Sequence, residues 1–183
     1  YTSMIPIAGD QVTNDIAFAL RTPTQNAEEI KITLGTVLSN QVEEGEFIDI
    51  PGFGERPDRQ IDRKNLAEVV EARYEELFHF IHHEISHSGF AGLIPAGYVI
   101  TGGGAKMKGL IQLAEKILQA PTRLGMPQFV QGFTEIVNNP AYSTSVGLLL
   151  YGQEQQYHNR YQYNVSGDKG FWFKVKNWFR NHF

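Results

Sequence analysis

The sequence predicts an α/β chain, and three stretches carry that prediction. Tyr98 to Thr101 is a short β-branched run, followed by Gly102-Gly103-Gly104 and then by apolar residues at Leu110, Ile111, Leu113, Ala114, Ile117 and Leu118. Strand, glycine turn and helix, the helix spanning Lys106 to Gln119, therefore succeed one another. Glu46 to Ile50 alternates as a strand, Pro51-Gly52-Phe53-Gly54 turns the chain, and Arg59 to Asp62 reads as the return strand of a hairpin. A long amphipathic helix then covers Asn65 to His87, its stripe set by Leu66, Val70, Tyr74, Leu77, Phe78, Ile81 and Ile85.

The remaining elements follow from local signals. Met4 to Ala8 reads as a short strand ending at Gly9, and Asp10 can cap a helix from Gln11 to Leu20 with Val12, Ile16, Ala19 and Leu20 on one side. Arg21-Thr22-Pro23 stops that helix. Asn26 or Thr24 can cap the next, Ala27 to Leu34, which carries Glu28 and Lys31 three apart on one face. Gly89 to Gly97 reads as a loop, and Thr122 to Gly125 as a short strand. After the Asn138-Asn139-Pro140 turn, Ser143 to Tyr151 is small and apolar and reads as a buried helix. Residues 153–170, polar and without apolar period, read as a flexible linker.

Composition narrows the function classes. With 183 residues and 42% hydrophobic content the chain is globular, large enough for one domain or two small lobes. A net charge of −4 gives no nucleic-acid signature, and the absence of cysteine removes disulfides and thiol catalysis. The first residues have no basic segment leading into an apolar one, so they do not read as a signal peptide, and no run of about 18 apolar residues suggests a span. Tyr1 stands without a methionine beside a strand-like segment, which reads as a fragment.

Two motifs suggest chemistry. A strand that breaks into three glycines at a helix start brings backbone N–H groups close to a flat or anionic ligand, although a plain connection has the same turn chemistry. Met107 excludes the dinucleotide pattern, and Leu110 and Ile111 exclude the P-loop pattern. His83-Glu84-Ile85-Ser86-His87 matches the zinc-peptidase H-E-x-x-H, with the two histidines on one helical face. Its extended form needs glycine and histidine where Phe90 and Leu93 stand, and the nearest downstream glutamate is Glu115. A solvated histidine face explains the motif more simply, and no metal site is expected.

The last thirteen residues are FWFKVKNWFRNHF. On a helical wheel Phe171, Trp172, Val175, Trp178, Phe179 and Phe183 share one side, with Lys174, Lys176 and Arg180 opposite; Phe173 and His182 break the segregation. Such a helix is about 20 Å long, too short to cross a bilayer and suited to lying in its interface. The alternative is a helix docked on its own domain, which a long polar linker disfavours. Three cations on an anionic surface contribute roughly 3 kcal/mol.

Taken in order, IPIAGDQVTNDIAFALRTPTQNAEEIK, RKNLAEVVEARYEELF, VITGGGAKMKGL, NNPAYSTSVGLLLYG and the aromatic-basic tail resemble the C-terminal half of the FtsA family of actin-like bacterial division proteins. The resemblance covers essentially the whole chain. It implies the second lobe of an actin-like ATPase fold, an α/β subdomain over 1–12 and 92–152 with a smaller, partner-binding subdomain inserted over 13–91. It further implies a linker over 153–170 and a membrane-targeting helix over 171–183.

The same resemblance implies site residues. Gly102, Gly103 and Gly104 would face the adenosine of ATP, and Glu28 and Lys31 match an E-x-x-K pair that reaches its ribose and base. Arg63, Glu71 and Arg73 are the candidates for binding the FtsZ C-terminal peptide, with a solvated charged face as the alternative. The implied role is to tether FtsZ filaments to the cytoplasmic face of the inner membrane at midcell, with self-association into filaments. Another actin-superfamily ATPase, whose nucleotide cycle is the output, is the alternative. The family's phosphate-binding motifs have no match here and are expected upstream of Tyr1. Magnesium-ATP is therefore a ligand of the longer family member, with negligible hydrolysis and no tight nucleotide binding expected of this chain.

Overall fold

The computed structural model describes residues 1–52, 57–128, 130 and 134–156. They divide into a unit over Tyr1–Met126 and a second over Pro127–Phe183. In the first unit the order is α1 (Gly9–Ala19), α2 (Thr24–Leu34), β1 (Phe47–Ile50), β2 (Arg59–Asp62), α3 (Arg63–His87), β3 (Tyr98–Ile100), α4 (Leu110–Leu118) and β4 (Thr122–Leu124). One core joins them: Ile16 of α1, Ile30 of α2, Ile50 of β1, Leu66, Val70 and Phe78 of α3, and Leu110 and Leu113 of α4.

Residues 1–8 form no strand, contrary to expectation. A strand needs a partner edge. This segment is instead fastened at one end by Glu84, which accepts from Ser3 and Tyr1, and at Pro6 by the side chain of Gln11. Gln11 also accepts the Ala8 N–H at 2.9 Å, so α1 begins at Gly9 and Asp10 lies within its first turn rather than capping it. α2 starts at Thr24, three residues before the predicted start. Pro23, with φ −57°, leads into it, and its carbonyl accepts from Ala27.

The hairpin forms as predicted, antiparallel, with Phe47 opposite Asp62 and Ile50 opposite Arg59. Asp62 then caps α3 by accepting from the Lys64 N–H at 2.8 Å, which starts that helix two residues before the predicted position. Leu66, Val70, Tyr74 and Phe78 are buried, whereas the last two turns carry only half-buried apolar groups.

β3 and β4 pair in parallel, Tyr98 opposite Thr122 and Ile100 opposite Leu124, with α4 as the crossover. The predicted helix from Lys106 is split. Gly103–Lys106 is a 3-10 turn, and α4 starts only after Gly109. Between them the chain pairs sideways: the Val37 N–H donates to the Lys108 carbonyl at 3.0 Å, and Thr36 bridges Lys108. Gly109 has φ +84°, and a Cβ there would lie 2.5 Å from Leu38 Cγ, so only glycine passes this crossing.

The second unit contains α5 (Thr134–Val137), a 3-10 turn at Pro140–Tyr142 and a helix, α6, over 143–156. Asn139 accepts from the Ala141 N–H, so the predicted turn acts as a cap. Two expectations are corrected here. α6 is not a buried helix, since Val146 is buried but Leu148 and Leu149 are 66% and 75% exposed. Apolar composition records a helix's capacity to be covered, not what covers it. The linker does not begin at 153 either, because Gln153-Glu154-Gln155-Gln156 continue α6. Glutamine and glutamate are good helix formers, and polarity alone does not end a helix. The rest of the linker and residues 171–183 lie outside the described residues.

Candidate functional site

Lys31 is the centre of the site. α2 turns it against α1, leaving 9% of the residue exposed. Its ammonium has three protons and three acceptors: the Gly9 carbonyl at 3.1 Å, the Thr13 hydroxyl at 2.8 Å and Glu28 Oε2 at 2.6 Å. Such full pairing is what allows a lysine to be buried charged. Gly9 contributes by its small size, since a Cβ there would stand 3.4 Å from Nζ. Thr13, itself buried, also hydrogen-bonds Glu28 Oε2 and lies 3.0 Å from the Gly9 carbonyl.

Glu28 is the group of this network that reaches solvent, with 44% of its side chain exposed. Burial is the largest influence on its carboxyl and acts upward. The hydrogen bonds from Lys31 and Thr13 and the Lys31 charge together outweigh it, so the pKa falls below the ordinary glutamate value. Both bonds fall on Oε2, leaving Oε1 as the acceptor for an incoming donor.

The glycine turn meets α3 at Tyr74. The buried Tyr74 hydroxyl lies 3.4 Å from the Gly104 carbonyl, a long hydrogen bond. Burial first, and the Glu28 charge second, push its pKa up. Gly102 has φ +94° and ψ 173°, a conformation open essentially to glycine, and a Cβ there would meet nothing within 4 Å. Gly103 and Gly104 open the 3-10 turn, where the first N–H groups have no partner within the turn. Glu28 and Lys31 are thus brought together, and the Gly102–Gly104 turn is met by Tyr74 of α3. The sequence reading missed Thr13 and Gly9 and counted Tyr74 only as apolar stripe. A threonine beside Val12 and Ile16 on the buried side of α1 was the available signal, since a buried hydroxyl needs a partner.

Arg63, Glu71 and Arg73 lie on α3, half-buried, and each is bonded within the chain. Arg63 pairs with Glu46 and donates from Nε to the Leu34 carbonyl at 3.3 Å. Glu71 accepts from the Ser39 N–H at 3.1 Å. Arg73 holds Asp15 of α1 in a bidentate pair, with Nη2–Oδ1 at 3.1 Å, and also pairs with Glu76. The hydrogen bond to Asp15 is the main reason its pKa is raised.

The H-E-x-x-H residues are engaged differently. The His83 and His87 rings lie 4.1 Å apart, both exposed, and His87 Nδ1 is 3.0 Å from the His83 carbonyl. Glu84 accepts from Ser3 at 2.6 Å and from Tyr1 at 3.1 Å, in that order the main reasons its pKa is lowered. Among the described residues no three histidine, aspartate or glutamate side chains gather to hold a metal. No helix among them is long and apolar enough to cross a membrane.

Comparison with known proteins now decides the family. Residues 1–147 match the family profile described as Cell division protein FtsA. The chain belongs to the FtsA family. FtsA of Pseudomonas aeruginosa is 56% identical over 156 residues, which cover 85% of this chain and 37% of that protein. FtsA of Escherichia coli K12 is 37% identical, and that of Neisseria meningitidis serogroup B 38% identical, each over 100% of this chain and 46% of the relative. The chain therefore spans less than half the length of these FtsA relatives. Among solved structures, MreB5 of Spiroplasma citri bound to ADP aligns with a TM-score of 0.66 at 16% identity, over 85% of this chain and 47% of that one. The AMPPNP-bound form of the same protein aligns at 0.65. The fold is thus part of an actin-like α/β fold, as the sequence predicted.

Proposed function

We propose that this chain is the membrane-tethering and partner-binding part of a division protein that links FtsZ filaments to the cytoplasmic face of the inner membrane. Family membership supports the division role, and the sequence of 171–183 carries the tether: aromatic residues on one helical side, Lys174, Lys176 and Arg180 on the other. The alignment with the Escherichia coli relative, 37% identical, covers 100% of the chain. The chain should therefore sediment with anionic liposomes, and Trp178→Glu should release it, because a charge replaces one of the tail's two tryptophan anchors. If Trp178→Glu sediments as well as the parent chain, the tail is not the anchor.

The FtsZ peptide, on this reading, docks along α3. Its carboxylates would compete with Glu46 for Arg63 and with Asp15 and Glu76 for Arg73. Arg73, with 29% of its side chain exposed against 18% for Arg63, is the more accessible of the two. Self-association into filaments is in keeping with the actin-like fold.

The glycine turn fits one wall of an adenosine site. Open space beside Gly102 leaves room for a flat ring, and ionised Glu28 offers an acceptor for ribose hydroxyls. ADP in the similarly folded MreB5 is in keeping with this reading. When bound, ATP would supply the phosphoryl group. The chain by itself should hydrolyse ATP negligibly; sustained phosphate release by the purified chain would overturn that.

A further inference from the structure

We propose that Thr13 is a positioning residue of the nucleotide site, holding Glu28 and Lys31 as one unit against α1. This rests on the adenosine reading of Glu28 and the glycine turn. All three Lys31 protons are committed to Gly9, Thr13 and Glu28, so the lysine has none left for a ligand in this arrangement. Glu28 is then the reading group, and its Oε2 is held by two neighbours, Lys31 on its own helix and Thr13 on another. Lys31 is itself held against α1 by the Gly9 carbonyl and the Thr13 hydroxyl, so Thr13 bonds both members of the pair. α1 in turn is fixed by its buried side chains Val12, Ile16 and Leu20 and by the Asp15–Arg73 pair. Thr13 therefore anchors Glu28 to the core, and the methyl of a valine would fill its place without replacing the bond.

The test compares Thr13→Val with Thr13→Ser in the whole chain by NMR. The charged or titratable groups facing Glu28 are Lys31 and Tyr74. With those unchanged, the Glu28 carboxyl should titrate higher in Thr13→Val and at its parent position in Thr13→Ser. ATP, added in the millimolar range, should shift the Gly102–Gly104 amides, and Thr13→Val should weaken that binding about tenfold, as expected for one hydrogen bond to a charged group. Serine should restore it. An unmoved Glu28 titration in Thr13→Val overturns the role of Thr13. Glycine amides of the parent chain that ignore ATP sink the adenosine reading instead, and the carboxyl titration still decides Thr13. Should Thr13→Val not fold, the parent chain gives a second reading. A Thr13 hydroxyl proton bonded to ionised Glu28 exchanges slowly enough to be seen, and rapid exchange contradicts the inference.

Discussion

Gly97→Ala is expected to destabilise the Tyr1–Met126 unit by about 4 kcal/mol, a large share of the roughly 5–15 kcal/mol that holds a domain together. Two effects add. Gly97 has φ +76°, which strains any side-chain-bearing residue, and a Cβ there would lie 2.1 Å from the Pro121 carbonyl oxygen. That carbonyl has no freedom to retreat, because it accepts the Tyr98 N–H at 2.8 Å at the start of the β3–β4 ladder. The expected result is a melting temperature lower by more than about 10 °C, with early loss of the glycine turn that β3 carries. Gly92→Ala is the control, since a Cβ there meets nothing within 4 Å and should change stability by no more than about 0.5 kcal/mol. Equal melting temperatures for the two variants would show that the β3–β4 contact yields easily.

The second large effect is expected from Lys31→Met. Removing one partner of a buried pair costs about 3–5 kcal/mol, but Glu28 is 44% exposed and water can reach it, which lowers the expectation to about 2 kcal/mol. The pH dependence separates charge loss from lost packing. In the parent chain the folded Glu28 pKa is below the ordinary 4.5, so its contribution is present above that value and disappears as pH falls through the lowered one. In Lys31→Met the lysine's downward influence is gone, and burial acts upward with Thr13 alone opposing it. Urea denaturation should therefore show a stability gap between parent and variant at about pH 7 that narrows towards about pH 3. A gap that stays constant would mean that Lys31 contributes only through its aliphatic stem.

The two substitutions also mark what was legible in the sequence. Periodicity located α3, the hairpin and the strand at Tyr98, because each buries one face and repeats with its own period. It misjudged Met4–Ala8, since an apolar run does not reveal whether an edge is available to pair with. It started α4 at Lys106 rather than after Gly109, because the pairing of Lys108 with Thr36 and Val37 is a contact between residues about 70 positions apart. Glu28 and Lys31 were readable as a pair and are one. Arg63 and Arg73 were readable as charges on α3, but their acids, Glu46 and Asp15, lie on other elements that no helical wheel displays. Thr13 lay hidden for the same reason.

A tether is defined by holding two things at once, and one vesicle assay measures that. An acidic FtsZ C-terminal peptide with a fluorescent label should co-sediment with anionic liposomes only when the chain is present. The chain lacking 171–183 should bind the peptide in solution yet leave it in the supernatant. Peptide carried down equally well by the chain without 171–183 would contradict the account.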